Sequence, residues 1–389
     1  MSRFPIHQQS IFKFGLATLA AGLFGACIFK DRVKTITRTL LQSSEATAPK
    51  PLASLKDRID SPKTELSPLL SLFVDINRTI VIYDSAKKEL TIQQMAAAAL
   101  SESTVGIWDD KHGKMTHRHY VYTVLIPDTA FADKTQLKQE RQREIYGFID
   151  YLIKSNHPAK DRVLKKYHKI IKKSTNPSTG EIQHKVFDSF YSLLEKLRKC
   201  HINFVVILMT FGEDLTRVAE EIGKHPSGVK FTQYGAFHNK QLHLENGETL
   251  TTTDAIFKAF LTSGLHFALK TNWKEWNEDG ERGRSGKPFI YDSSGNMHGI
   301  RNLSLFCDDN ITHDDEKDIV APIDVAGRSH SRKELADQLV KVDVAKAPIA
   351  KNYFIKETAN CLLKHGYTDE YKKMMSGIRV KSSSALPIS

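Results

Sequence analysis

Cysteine is scarce in this chain of 389 residues: Cys27, Cys200, Cys307 and Cys361 are the whole supply. They are widely spaced and no pair has metal-ligand spacing, which argues against a zinc site and against a disulfide framework. This usage suits a reducing compartment. Acidic residues are missing from the amino-terminus until Asp31. No internal repeat is present, which sets aside solenoids and propellers. The six acidic residues between Asp308 and Asp318 lack the glycine and the ligand spacing of an EF-hand loop. His117-Arg-His119 on a strand would place both rings on one face, but with His112 it suggests a metal only superficially, because no third ligand is nearby.

What is present is ordinary in bulk and uneven in charge. Hydrophobic content of 40% and charged content of 26% describe a globular protein long enough for two cores. The net charge of +11 is concentrated. Lys134 to Cys200 holds 16 Lys plus Arg against 7 Asp plus Glu, a net of +9, and the first 50 residues hold 7 against 2, a net of +5. The remainder is close to neutral.

The longest apolar run, Phe14 to Phe29, has 16 residues. As a helix it spans about 24 Å, short of the roughly 30 Å hydrocarbon core. Arg3 and Lys13 precede it, and Lys30, Arg32, Lys34 and Arg38 follow. Residues 1–30 therefore read as a signal peptide or marginal membrane anchor, with an organelle transit segment and an apolar helix docked on the protein as alternatives. The expected location is membrane-associated or exported, or an organelle. Residues 31–68 read as a linker rich in Ser, Ala, Pro and Thr, and 376–389 as a disordered tail.

Strand signals fall at Leu70–Tyr83, Tyr120–Ile126, Phe204–Met209 and Leu303–Cys307, with weaker ones at Val229–Phe231 and Phe289–Tyr291. Helical patterns cover 91–100, 136–154, 161–173, 187–199, 216–224, 253–261 and 331–340, the last opened by Ser329 or Ser331 as N-cap. Alternating strands and helices predict α/β with a mostly parallel sheet.

The strongest chemical signal is Ser71-Leu-Phe-Val-Asp75-Ile-Asn77-Arg-Thr79. An apolar strand runs straight into a carboxylate, and burying a carboxylate is costly unless something pairs with it. In an open α/β sheet the carboxyl ends of central strands are also where ligands bind. Three later segments follow in order. Asn203 to Gly212 is a strand ending in Thr210. Gly286-Lys287-Pro288-Phe289 supplies a lysine, with Lys270 as its competitor. Leu303 to Asp309 is a strand ending in Asp308 and Asp309.

Together these resemble the four motifs of the haloacid dehalogenase-like superfamily, over about 240 residues. The resemblance implies a Rossmann-like, mostly parallel sheet with helices on both faces and a helical cap insertion. The core would be 69–90 and 200–375, and the basic, mainly helical cap 91–199. It implies Asp75 as nucleophile and Mg²⁺ ligand, the Asn77 carbonyl and Asp308 as further ligands, and Asp309 supporting the metal shell. Thr210 would hold phosphate and Lys287 would neutralise charge. In the family's phosphatases the residue two after the nucleophile is an aspartate acting as acid and base, and here it is Asn77. An amide cannot transfer that proton, a function typically worth 10²–10⁴-fold.

Two function classes are thus expected. One is a Mg²⁺-dependent phosphohydrolase or phosphotransferase acting on a phosphorylated small molecule through Asp75. The other is a catalytically weak module that binds an anionic partner through the basic cap. For that partner, a membrane surface reached through residues 14–29 or nucleic acid are both open. A metal-free dehalogenase also needs an aspartate nucleophile, but the Asp308-Asp309 pair argues against it.

Overall fold

The computed structural model describes residues 69–84, 89–183, 185–297, 299–314, 316, 318–328 and 330–378. The anchor segment, the linker and the tail beyond residue 378 lie outside the described residues.

In chain order the elements are β1 (Leu69–Asp75), α1 (Ile92–Ser103), α2 (Lys134–Tyr146), α3 (Phe148–Lys154), α4 (Lys160–Ser174) and α5 (Asp188–Lys199). They continue as β2 (Phe204–Thr210), α6 (Leu215–Lys224), β3 (Phe231–His238), β4 (Gln241–Leu244), α7 (Thr253–Thr262), β5 (His266–Lys270) and α8 (Trp273–Glu278). The rest are β6 (Lys287–Tyr291), β7 (Ile300–Asp308), β8 (Val320–Asp324), β9 (Leu339–Lys341), α9 (Tyr353–Lys364) and α10 (Thr368–Met375). Two-residue strands are named below by residue.

Six strands run parallel in the order β9-β7-β1-β2-β5-β3. β4 extends one edge antiparallel to β3, and Asn296–Met297 pairs antiparallel with the start of β7. β6 and β8 form a separate parallel ribbon. The protein is thus α/β with a mixed, mostly parallel central sheet.

Central parallel strands are covered on both faces, so they read as continuous apolar runs. Successive side chains still divide between two cores. Leu70, Leu72 and Val74 of β1 join Val206 and Leu208 of β2 and Leu303, Leu305 and Cys307 of β7 on one face. Helices α5, α6 and α9 cover that face through Phe190, Leu194, Val218, Ile222 and Phe354. Phe73, Ile207, Met209 and Phe306 face the other way, against Phe257 and Phe260 of α7 and Phe289 of the ribbon. Phe73 meets Phe260 and Phe289 edge-on at 5.7 and 5.4 Å.

The long connection between β1 and β2 carries α1 to α5. Thr91 opens α1 with a reciprocal cap: its hydroxyl accepts from Gln94 N at 3.2 Å, and Gln94 Oε1 accepts from Thr91 N at 2.9 Å. Phe148, Val163 and Ile170 bury into the same cluster as the helix-covered sheet face.

Several expectations need correction. The strand signal from residue 70 ends at Asp75, because Ile80 and Val81 N–H groups turn back to the Ile76 carbonyl. Residues 120–126 are not a strand. Thr116 caps a short helix at His117–Tyr120, and a wider π turn follows at Val121–Leu125. The buried Arg141 side chain satisfies carbonyls there, donating to Ile126 O at 2.8 Å and Tyr122 O at 3.2 Å. A tertiary partner has overridden β propensity. The helix expected over 136–154 breaks into α2 and α3 at Gly147, a poor helix former whose N–H caps Arg143 O. The helix expected over 331–340 is absent. Ser331 and Glu334 form the capping contacts, but Leu339 pairs with Phe306 and pulls the chain into β9. β3 runs to His238, far past its weak signal, and α9 and α10 had none.

Among the described residues, no helix is long and apolar enough to cross a membrane.

Candidate active site

The carboxyl ends of β1, β2 and β7 lie side by side. Val74 pairs with Cys307, and Asp75 pairs with Met209. Asp75, Thr210 and Asp308 therefore come to one edge of the sheet from three adjacent strands. Lys287 opens β6 and enters from the ribbon side. Its ammonium lies 2.5 Å from Asp75 Oδ1 and 2.7 Å from Asp308 Oδ2. Lys287, Asp75 and Asp308 are at most 3% exposed. Lys270, the competing lysine, is exposed and sits 3.5 Å from Glu213. The ring of Phe211 lies 5.1 Å from the Lys287 ammonium, and Trp276 stacks on Phe211 at 5.6 Å.

Thr79 joins two of these strands. Its hydroxyl donates to Asp75 Oδ2 at 3.1 Å and accepts from Asp309 N at 3.1 Å. Asn310 completes the corner, its backbone N–H donating to Asp308 Oδ1 at 2.8 Å and its side chain to Asp309 Oδ1 at 2.9 Å. Arg78 sits between Asn77 and Thr79 with φ of 62°, in the left-handed region that is strained for a residue with a side chain. That turn sends its guanidinium to Asp309 Oδ2 at 3.2 Å and to Glu102 Oε2 at 2.9 Å. Arg118 also reaches Glu102, at 2.7 Å. A chain of alternating charge thus links the site to α1 and the helical connection.

The balance of charge at the site is negative. Burial pushes the Asp75 carboxyl up to about 8; Lys287 pulls it down, while Asp308 and Asp309 push it further up. Asp309 is pushed up to about 7, again chiefly by burial, with Arg78 opposing and Asp308 reinforcing. Burial also works against the Lys287 charge, but Asp308 and Asp75 outweigh it and hold the ammonium above the usual lysine range. Arg78 is likewise held above its ordinary value, burial opposing and Asp309 with Glu102 prevailing.

Oxygen atoms of Asp75, Asp308 and Asp309 all lie within 4.8 Å of one another. Among the described residues they form the one such group that could hold a metal ion. The donors are hard oxygens, and the raised carboxyls are those an added cation would ionise.

Thr210 is buried, and its hydroxyl accepts from Gly212 N at 2.9 Å. It is therefore in a tight turn rather than capping α6, whose N-cap is Asp214. Its own proton remains available to donate. Asn77 is half-buried and bridges to Val81 in the loop after β1. Asp84 lies close enough to Arg78 to bear on its charge. His117, read as one of two rings on a strand face, is instead buried on a helix with Nδ1 2.8 Å from Ser101 Oγ, while His119 is exposed.

Sequence reasoning found Asp75, Lys287, Asp308 and Asp309, which the fold brings together, and missed Arg78, Thr79 and Glu102 as site residues. Glu102 and Arg78 are 24 residues apart with no periodic link, so only the fold reveals them.

The site is thus a buried carboxylate-lysine cluster at the carboxyl edge of a parallel sheet. No family model, curated protein or solved structure matches the chain.

Proposed function

We propose that the protein is a haloacid dehalogenase-like, Mg²⁺-dependent phosphohydrolase or phosphotransferase that acts on a phosphorylated small molecule through an aspartyl-phosphate on Asp75. One observation carries this reading. Asp75 and Lys287, 212 residues apart, meet with Asp308 in a buried contact at a strand end. A carboxylate and an ammonium taken out of water at that cost are characteristic of working sites rather than of stabilising ones.

In this reading Asp75 Oδ attacks phosphorus. The bond from phosphorus to the leaving oxygen breaks, and that oxygen departs with the electron pair. Lys287 holds positive charge against Asp75 and the incoming phosphate. The Thr210 hydroxyl donates to a phosphate oxygen. Asp75, the Asn77 carbonyl and Asp308 would hold the cation, with Asp309 steadied behind them by Arg78 and Asn310. A bound Mg²⁺ supplies charge neutralisation for the phosphate. Asn77 has no proton to give, so the leaving oxygen takes its proton from solvent and good leaving groups are favoured. Hydrolysis of the phosphoenzyme lacks its base and is slow.

The test uses the full chain with Mg²⁺ and acetyl phosphate or p-nitrophenyl phosphate. Product release and acid-stable protein-bound phosphate are followed together, with Asp75→Asn as control. The expected result is a stoichiometric burst followed by slow turnover, both lost in the control. No burst and no turnover in the wild type, with Mg²⁺ binding confirmed by calorimetry, would overturn the enzyme reading.

A further inference from the structure

Helix α4 carries seven basic residues and one acidic residue among fifteen. Its apolar side is used inside the protein, where Val163 and Ile170 are buried and Leu164, Tyr167 and Ile171 pack against the same core. The outer side is a row of exposed cations: Arg162, Lys165, Lys169 and Lys172. Their spacing of three, four and three residues keeps them on one stripe. At ~1.5 Å per residue the stripe is about 15 Å long. Lys173, beside it, is neutralised by Asp188 at 2.5 Å. Among the described residues, none of the four stripe cations has an ion-pair partner. A solvated lysine face is common, but it is usually laced with acidic partners at i±4. Here the exposed acid Asp161 is the helix's whole supply.

The amino-terminal end of the same helix has a second feature. Ile107 and Ile153 are 53% and 51% exposed. Both are tied to the turn that leads into α4: His157 Nε2 is 2.8 Å from Ile107 O, and Asn156 N donates to Ile153 O. Trp108 stacks on His157 at 4.6 Å and fixes that corner. Lys154, next to Ile153 in the sequence, is also exposed. Two branched aliphatic side chains are thus held out into water at the corner that leads into the cationic helix.

We propose that this surface docks on a bilayer rich in anionic lipid, with the α4 cations at the headgroup phosphates and carboxylates and Ile107 and Ile153 entering the interface. The partner follows from the pairing of the two features. A cationic stripe alone fits any polyanion, including nucleic acid. Exposed isoleucines gain nothing from a phosphate backbone, but they bury apolar area among acyl chains. Because the apolar side of α4 is already buried, the helix lies on the bilayer rather than in it. The surface would hold the chain on the membrane independently of the chemistry at Asp75.

The experiment is co-sedimentation of the full chain with vesicles of phosphatidylcholine, alone or with about 30% phosphatidylserine. The apolar segment 14–29 contributes to both vesicle types, so the reading is the ratio of affinities between them. Each basic residue near an anionic surface contributes roughly fivefold. The set Arg162→Gln, Lys165→Gln, Lys169→Gln and Lys172→Gln should therefore reduce the ratio by on the order of 100-fold or more. The charge-conserving set Lys165→Arg, Lys169→Arg and Lys172→Arg should keep it. Ile107→Ser with Ile153→Ser should weaken binding to anionic vesicles several-fold and leave binding to a short DNA duplex unchanged. All six positions are exposed, and melting curves check that each variant folds. A glutamine set that retains the wild-type ratio would overturn the proposal. So would an isoleucine pair that binds anionic vesicles like wild type while the stripe binds duplex DNA tightly, which would assign the surface to nucleic acid.

Discussion

Replacing the proposed nucleophile should make the metal-free protein more stable, and increasingly so as pH rises. The Asp75 carboxyl goes from 3.8 in the unfolded chain to about 8 in the fold, mainly through burial. Between those values the folded chain holds a proton that the unfolded chain has released, so stability falls as pH rises through the window. Each pH unit there is worth about 1.4 kcal/mol, which brings the full penalty to roughly 5–6 kcal/mol near pH 8. At 3% exposure, solvent does little to screen it. Asp75→Asn removes this penalty and keeps the shape. The attraction of Lys287 for the ionised carboxylate is already within that figure, and the asparagine oxygen still offers Lys287 an acceptor. The expected gain is about 5 kcal/mol near pH 8 and about 1–2 kcal/mol near pH 5. Urea unfolding in EDTA at the two pH values measures it. A variant less stable than wild type near pH 8, or a difference that does not change with pH, would refute the electrostatic account of the site. Added Mg²⁺ should stabilise the wild type near pH 8 and the asparagine variant far less.

Lys287→Met leaves Asp75 and Asp308 buried without their shared cation, and should cost about 3–5 kcal/mol near neutral pH; combining it with Asp75→Asn should recover part of that loss in a double-mutant cycle. His266 gives the opposite pH dependence. Burial holds its imidazole down at about 4, and its Nδ1 accepts from Val206 N at 3.0 Å, which requires it to be unprotonated. Its contribution is complete above its ordinary value of 6.5 and falls as pH drops toward 4, by about 2 kcal/mol after allowing for partial exposure. His266→Asn in the Asp75→Asn background should flatten that acid limb in thermal melts. Gly286→Ala should impair the site through the backbone: a Cβ there would meet Ile319 O at 2.3 Å, one residue before Lys287. The expected result is a loss of roughly 1–3 kcal/mol by urea unfolding, with a smaller phosphoenzyme burst.

The parts of the fold legible in the sequence are those where one local rule suffices. β1, β2 and β7 are buried on both faces and read as apolar runs ending in a polar residue, so both the strands and Asp75, Thr210 and Asp308 stand out. α1, α4 and α5 show helical spacing of buried side chains. The illegible parts depend on distant partners. Residues 120–126 look like a strand until Arg141, 19 and 15 positions beyond Tyr122 and Ile126, donates to the carbonyls of those two residues. Residues 331–338 carry a sound helix start, but Leu339 gains more by pairing with Phe306. Strands β3 and β4, toward one end of the sheet, mix buried residues with exposed and half-buried ones and so read less clearly. Arg78 and Glu102 give no signal at all, since nothing local distinguishes a buried guanidinium from an exposed one.

The amide at position 77 bears on how the cluster works. Asp75, Asp308 and Asp309 face two cations, Lys287 and Arg78, and Arg78 is shared with Glu102. Burial raises the carboxyls of Asp75 and Asp309, and the neighbouring carboxylates add to that rise against the pull of Lys287 and Arg78. Burial favours a proton on Asp75 near neutral pH in the metal-free protein, and in the proposed reading that proton blocks nucleophilic attack. A cation added beside Asp75 and Asp308 lowers that barrier by favouring the ionised form, so phosphoryl transfer in this reading depends strictly on the cation. The same cation does nothing to replace the missing base in the second step, because water attacking the phosphoenzyme still needs an acceptor for its proton. In the proposed reading, an arrangement that can form the phosphoenzyme but lacks a base at 77 to break it favours a species that persists.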